Sequence, residues 1–100
     1  MSEAMEITTF RLAKGLKVKD FIAANTDVDA WLKKQPGFIL RRVCEGQGGW
    51  VIDMLLWKSE QDGQRAAACI VTEMAGSRVH AAIDQSTVDW SIQECRHRLD

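Results

Sequence analysis

The sequence predicts an α+β fold of ferredoxin-like order, β-α-β-β-α-β, as one domain over residues 1–100. Three observations carry this. Residues 35–57 read as a turn and then the two arms of an antiparallel hairpin. A segment of helical period lies on each side of that hairpin, and β-branched and aromatic stretches lie outside those. The expected result is a four-stranded antiparallel sheet with two helices on one face.

The first strand is Glu6 to Leu12, rich in β-branched and aromatic residues and ended by Lys14-Gly15. From Val18 the period changes. Val18, Phe21, Ile22, Val28 and Leu32 recur at helical spacing with Trp31 beside them. Asn25-Thr26-Asp27 interrupts the run, so the helix kinks there or restarts with Thr26 or Asp27 as a new N-cap. Asn25 falls on the apolar side. It is a cap or a satisfied buried amide, or else a hydrogen-bond donor to a ligand.

Gln35-Pro36-Gly37 stops the helix, since proline cannot continue it. Phe38 to Glu45 is the first hairpin arm, Gly46-Gln47-Gly48-Gly49 the turn, and Trp50 to Trp57 the second arm. Symmetric closure sets Phe38 opposite Trp57, Leu40 opposite Leu55, Arg42 opposite Asp53 and Cys44 opposite Val51, all on one face. Ile39, Arg41, Val43 and Glu45 then share the other face with Trp50, Ile52, Met54 and Leu56. Asp53 is costly to bury alone, and a cross-strand Arg42 would neutralise it, whereas a one-residue bulge would bring Arg41 or Val43 opposite and lose that pairing.

Ser59 is the expected N-cap of the second helix, with Asp62 at the capping-box position. Gly63, Ala66, Ala67, Ile70 and Met74 form a stripe suited to close packing on a sheet. Gly76-Ser77 ends that helix, and Arg78 to Ile83 is a short extra helical turn carrying His80. Thr87 to Arg96 is the last strand, with Val88, Trp90 and Ile92 on one face.

The central strand is apolar on both sides: Val51, Leu55 and Trp57 on one, Ile52, Met54 and Leu56 on the other. An antiparallel sheet with a solvated face should instead alternate apolar and polar residues. The second face is therefore expected to meet another subunit, most simply by two-fold association into a homodimer. The absence of Lys and Arg from this strand also argues against an RNA-recognition sheet of the same topology.

A formal net charge of −1 gives no basis for a partner bound through phosphates, so nucleic acid is not expected. Cys44, Cys69 and Cys95 are odd in number and far apart. They read as three reduced thiols, mostly buried, rather than a disulfide framework or zinc knuckle. Cys95 and His97 lie two residues apart, but two ligands make no metal site. With neither a basic-then-apolar leader nor a run of membrane-spanning length, the expectation is a soluble cytoplasmic protein.

The runs Phe21…Asn25…Val28…Ala30-Trp31-Leu32…Gln35-Pro36-Gly37-Phe38 and Gly49-Trp50-Val51…Asp53…Leu56-Trp57-Lys58-Ser59 resemble the antibiotic-biosynthesis monooxygenase-like domain of the dimeric α+β barrel group. The resemblance covers most of the chain from Phe10 to Trp90. It implies a homodimer whose sheets pack face to face, with a small pocket between each sheet and its helices. It also implies oxygenases that work without metal or flavin on activated polycyclic phenols, so no cofactor is expected. The haem-degrading members of the family rely on a first-strand Asn, a Trp ending the third strand and a His on the second helix. Only Trp57 matches here, which disfavours that activity.

His80, set among Val79, Ala81, Ala82 and Ile83, is the best general-base candidate for such an oxygenase. Trp57, Asp53, Arg42, Phe38 and Asn25 are the candidate substrate-binding residues. Two other readings compete: a non-catalytic dimer that binds a small apolar ligand, and a scaffold whose pocket is filled by Phe38 and Trp57.

Overall fold

The computed structural model describes residues 2–100. Four strands, β1 (Ala4–Leu12), β2 (Phe38–Glu45), β3 (Trp50–Trp57) and β4 (Ile83–Glu94), form one antiparallel sheet in the order β2-β3-β1-β4. Three helices accompany it: α1 (Val18–Ala23), α2 (Thr26–Lys33) and α3 (Glu60–Glu73). The ferredoxin-like order is as expected, and of the two courses open to the first helical run, kink or restart, the chain takes the restart. Lys17 opens α1, its backbone N–H donating to the Asp20 carboxylate at 2.8 Å. Asn25 then stands in the N-cap position of α2, one of the roles expected of it, and its carbonyl takes the first bond of that helix from Asp29 N–H at 2.8 Å.

The core lies between the sheet and the helices. Trp57, Phe10, Phe21 and Val51 are fully buried, and the rings of Phe10 and Phe21 meet at 5.0 Å. Such side chains contribute about 1.5–3 kcal/mol each on burial, so this group anchors β1, β3 and α1 together. Val28 and Leu32 bring α2 onto the same core. Ser59 caps α3 as expected, its hydroxyl accepting Asp62 N–H at 3.1 Å. Asp62 itself makes an ion pair with Arg65.

The hairpin register differs from symmetric closure. Phe38 does pair with Trp57, but a bulge at Ile39 shifts the rest, so that Leu40 pairs with Leu56, Arg42 with Met54, and Val43 with Asp53. Gly48 and Gly49 both have positive φ, which lets a longer, asymmetric turn close on this shifted ladder. The consequence is an exchange of faces. Arg41 and Val43 lie on the helix-covered face with Asp53, while Leu40, Arg42 and Cys44 lie on the open face.

That exchange also exposes Cys44. Cys69 and Cys95 are half-buried, so none of the three free thiols is buried as expected. The last strand starts at Ile83 and ends at Glu94, so Cys95 and His97 follow the strand rather than belong to it. No helix among the described residues is long and apolar enough to cross a membrane.

The open face carries Met5 and Ile7 from β1 with Ile52, Met54 and Leu56 from β3. All five are half-buried in the single chain. The sheet is thus apolar on its uncovered side, the feature that led to the expectation of a second subunit.

Candidate functional site

A cavity of about 590 Å³ opens between the sheet and the helices. Its floor comes from the inward side of the sheet. Alternation along β1 turns Ala4, Glu6, Thr8 and Phe10 toward the helices, and register sets Glu6 opposite Leu55 and Thr8 opposite Asp53. On β4, Trp90 stands opposite Thr8 and Ile92 opposite Glu6. The roof is α3, where Ala66 and Ala67 occupy little volume and so leave the space open. Gly63 brings α3 close, because a Cβ there would lie 2.3 Å from Ile92 Cδ1 and 2.9 Å from Trp57 Cδ1. Trp31 lines one side and is tied to α3 by a 3.0 Å bond from its indole N–H to Glu73.

Two charged constellations sit in this largely apolar space. In the first, Arg41 grips Asp53 with both ends of its fork, Nε to Oδ1 at 3.0 Å and Nη2 to Oδ2 at 2.6 Å. Nη1 also reaches Asp29 at 2.9 Å. Burial alone would lower the pKa of the guanidinium, but the bonds and charge of Asp53, with a further share from Asp29, outweigh it and hold the group above its ordinary value. Arg41, and not Arg42, is therefore the partner of Asp53. Arg42 lies on the open face and donates to the Arg41 carbonyl at 2.8 Å.

The second constellation centres on Glu6, which is only 8% exposed. Its Oε1 accepts the indole N–H of Trp57 at 2.8 Å and its Oε2 that of Trp90 at 2.6 Å. Burial raises the pKa of this carboxyl, against the lowering effect of the two indole bonds from Trp90 and Trp57.

His80 lines the cavity from a 3-10 turn, Arg78–Ala82. Ser77 caps that turn, accepting Val79 N–H at 3.3 Å and donating to Asp27 at 3.0 Å, which ties it to α2. The His80 Nε2 donates to the Met74 carbonyl at 2.8 Å. A carbonyl only accepts, so the neutral ring carries its proton on Nε2 and leaves Nδ1 as its basic nitrogen.

Of the residues singled out from sequence, His80, Trp57 and Asp53 come together on the cavity wall. Arg42, Phe38 and Asn25 do not line it. Phe38 packs edge-on against Trp57 with ring centroids 5.6 Å apart, and the cavity stays open beside the pair. Asn25 is buried at the α1–α2 junction, donating to the Phe21 carbonyl at 2.7 Å, while its Oδ1 has no partner among the described residues. Glu6, Thr8, Arg41 and Trp90 were not singled out. For Glu6 and Thr8 the signal was present, since a period of two counted back from Phe10 places both inside.

No protein-family model matches the sequence, and no curated protein matches it. Solved structures match along nearly the whole chain. SnoaB, a cofactor-independent oxygenase from Streptomyces nogalater, is 16% identical, with 99% of this chain and 98% of that one covered and a TM-score of 0.75. A Caulobacter crescentus protein provisionally named an antibiotic biosynthesis monooxygenase is 13% identical, covering 96% and 92% with a TM-score of 0.73. The ActVA-Orf6 monooxygenase of Streptomyces coelicolor, solved with nanaomycin D, is 15% identical, covering 98% and 91% with a TM-score of 0.66. From end to end, the chain carries the fold of the antibiotic biosynthesis monooxygenase domains.

Proposed function

We propose that this protein is a cofactor-independent oxygenase of a small aromatic or polycyclic phenol, working as a homodimer of one-domain protomers paired through their open sheet faces. The observation that carries the reading is the cavity, which is apolar over most of its wall and presents His80 and the Glu6 and Asp53 carboxylates to its occupant. The names of the SnoaB and ActVA-Orf6 neighbours support it by analogy of fold.

Within this reading His80 Nδ1 takes a proton from the bound phenol, and the electron-rich anion passes electrons to molecular oxygen. A hydroperoxide forms at the activated carbon and loses water. The balance is one CH2 and one O2 giving one C=O and one H2O. Apolar walls serve the step by excluding water from the anion. Asp53, fixed by Arg41, offers a rigid acceptor to a polar edge of the substrate.

A second reading, a non-catalytic dimer binding a small ligand, rests on one feature. Among the described residues no carboxylate hydrogen-bonds His80 to raise its basicity. Oxygen uptake separates the two. Purified protein with a panel of anthrones consumes oxygen in step with quinone formation, with no hydrogen peroxide released, if it is an oxygenase. Ligand-dependent thermal stabilisation with no uptake across the panel would replace that reading with the binding one.

A further inference from the structure

We propose that Glu6 is the specificity-determining group of the cavity: it receives a neutral hydroxyl of the aromatic ligand and rejects ligands that carry a carboxylate. The inference deepens the reading above and rests on it for the ligand class. Its basis is how the charges on the wall are partnered. Among the described residues Arg41 is the one guanidinium there, and Asp53 occupies it bidentately, with Asp29 on its remaining arm. The wall therefore holds two carboxylates against one cation, and Glu6 is the one without a cation.

Two indole N–H groups hold Glu6 in place, one to each oxygen. A carboxylate offers about four acceptor positions, so roughly two remain for an incoming donor. The clamp also fixes direction. Trp57 belongs to the buried end of the cavity and Trp90, 45% exposed, to its mouth, so the carboxylate spans the path between them. A phenolic O–H meets a prepared acceptor there. An arene carboxylate meets a like charge in surroundings that screen it poorly.

Three probes of one ring system test this at neutral pH: 1-naphthol, 1-methoxynaphthalene and 1-naphthoate, their affinities for the whole protein measured by equilibrium dialysis. The wild type is expected to bind 1-naphthol about tenfold more tightly than the methoxy compound, the scale of one charge-assisted hydrogen bond, and 1-naphthoate weakest of all. Glu6→Gln removes the charge at nearly constant shape, so it should erase the naphthol preference and strengthen naphthoate binding. A role limited to bracing the two indoles would weaken all three probes alike in this variant, and that result would overturn the proposal. So would a wild type that binds 1-naphthoate as well as 1-naphthol, a comparison that needs no variant to fold. Binding is read without turnover, so the Glu6 assignment can fail while oxygen uptake succeeds, and the reverse.

Discussion

Arg41 and Asp53 form a bidentate pair across the β2–β3 ladder although they are not register partners. Val43 is the residue opposite Asp53, and Arg41 reaches the carboxylate diagonally from two positions along the same face. The bulge at Ile39 makes this possible, because without it Arg41 would point to the open side.

The two neighbouring arginines should therefore behave very differently. Arg41→Met strands a buried carboxylate, with side-chain exposure near 10%, and is expected to cost about 3–5 kcal/mol. Arg42→Met strands no buried charge, since its guanidinium bonds the Arg41 carbonyl, and should cost about 1 kcal/mol or less. Urea unfolding of both variants checks the contrast. Equal losses would mean that the pair does not have the stated register.

Much of the fold was legible because its signals are local. Strand composition, Pro36-Gly37, the glycine turn and the Ser59 cap each mark an element by its own chemistry. Register was not, since a single extra residue at Ile39 changes every face assignment in β2 after it and leaves no mark in composition. The site was legible in the same measure. His80, Trp57 and Asp53 stood out as unusual residues in apolar runs, whereas Arg41 depended on the register. Asn25 looked like a site residue because it lies on the apolar side of the helical run, yet its amide is spent on the Phe21 carbonyl at the junction between helices.

Glu6 predicts a pH dependence of stability. Its folded pKa lies above the unfolded value of 4.5, chiefly through burial. Between the two values the native state holds more protons than the unfolded one, so stability falls as pH rises through that window and levels off above it. Glu6→Gln lacks the effect. Relative to that variant, the wild type should lose melting temperature as pH is raised from about 4.5. A difference that stays flat across the window would contradict the buried, indole-clamped carboxylate.

Met54 tests the assembly. It sits on the open face opposite Ile7 and Arg42 and is half-buried in the single chain, so Met54→Lys should leave the protomer folded. If sheet faces pair, the charge is buried in the interface and the dimer splits, read by sedimentation equilibrium as a halved mass with unchanged circular dichroism. A dimer that survives the lysine intact would place the interface elsewhere.

Oxidation of a phenol in the cavity with His80 as its base is tested by oxygen consumption of wild type and His80→Gln on the same anthrone. Uptake matched by quinone is expected of the wild type, with a fall of about 10²–10⁴-fold in the variant, the usual contribution of a general base. Raising the pH to ionise the substrate beforehand should narrow the gap. Uptake that is equal in the two proteins, or absent from the wild type, would contradict that reading.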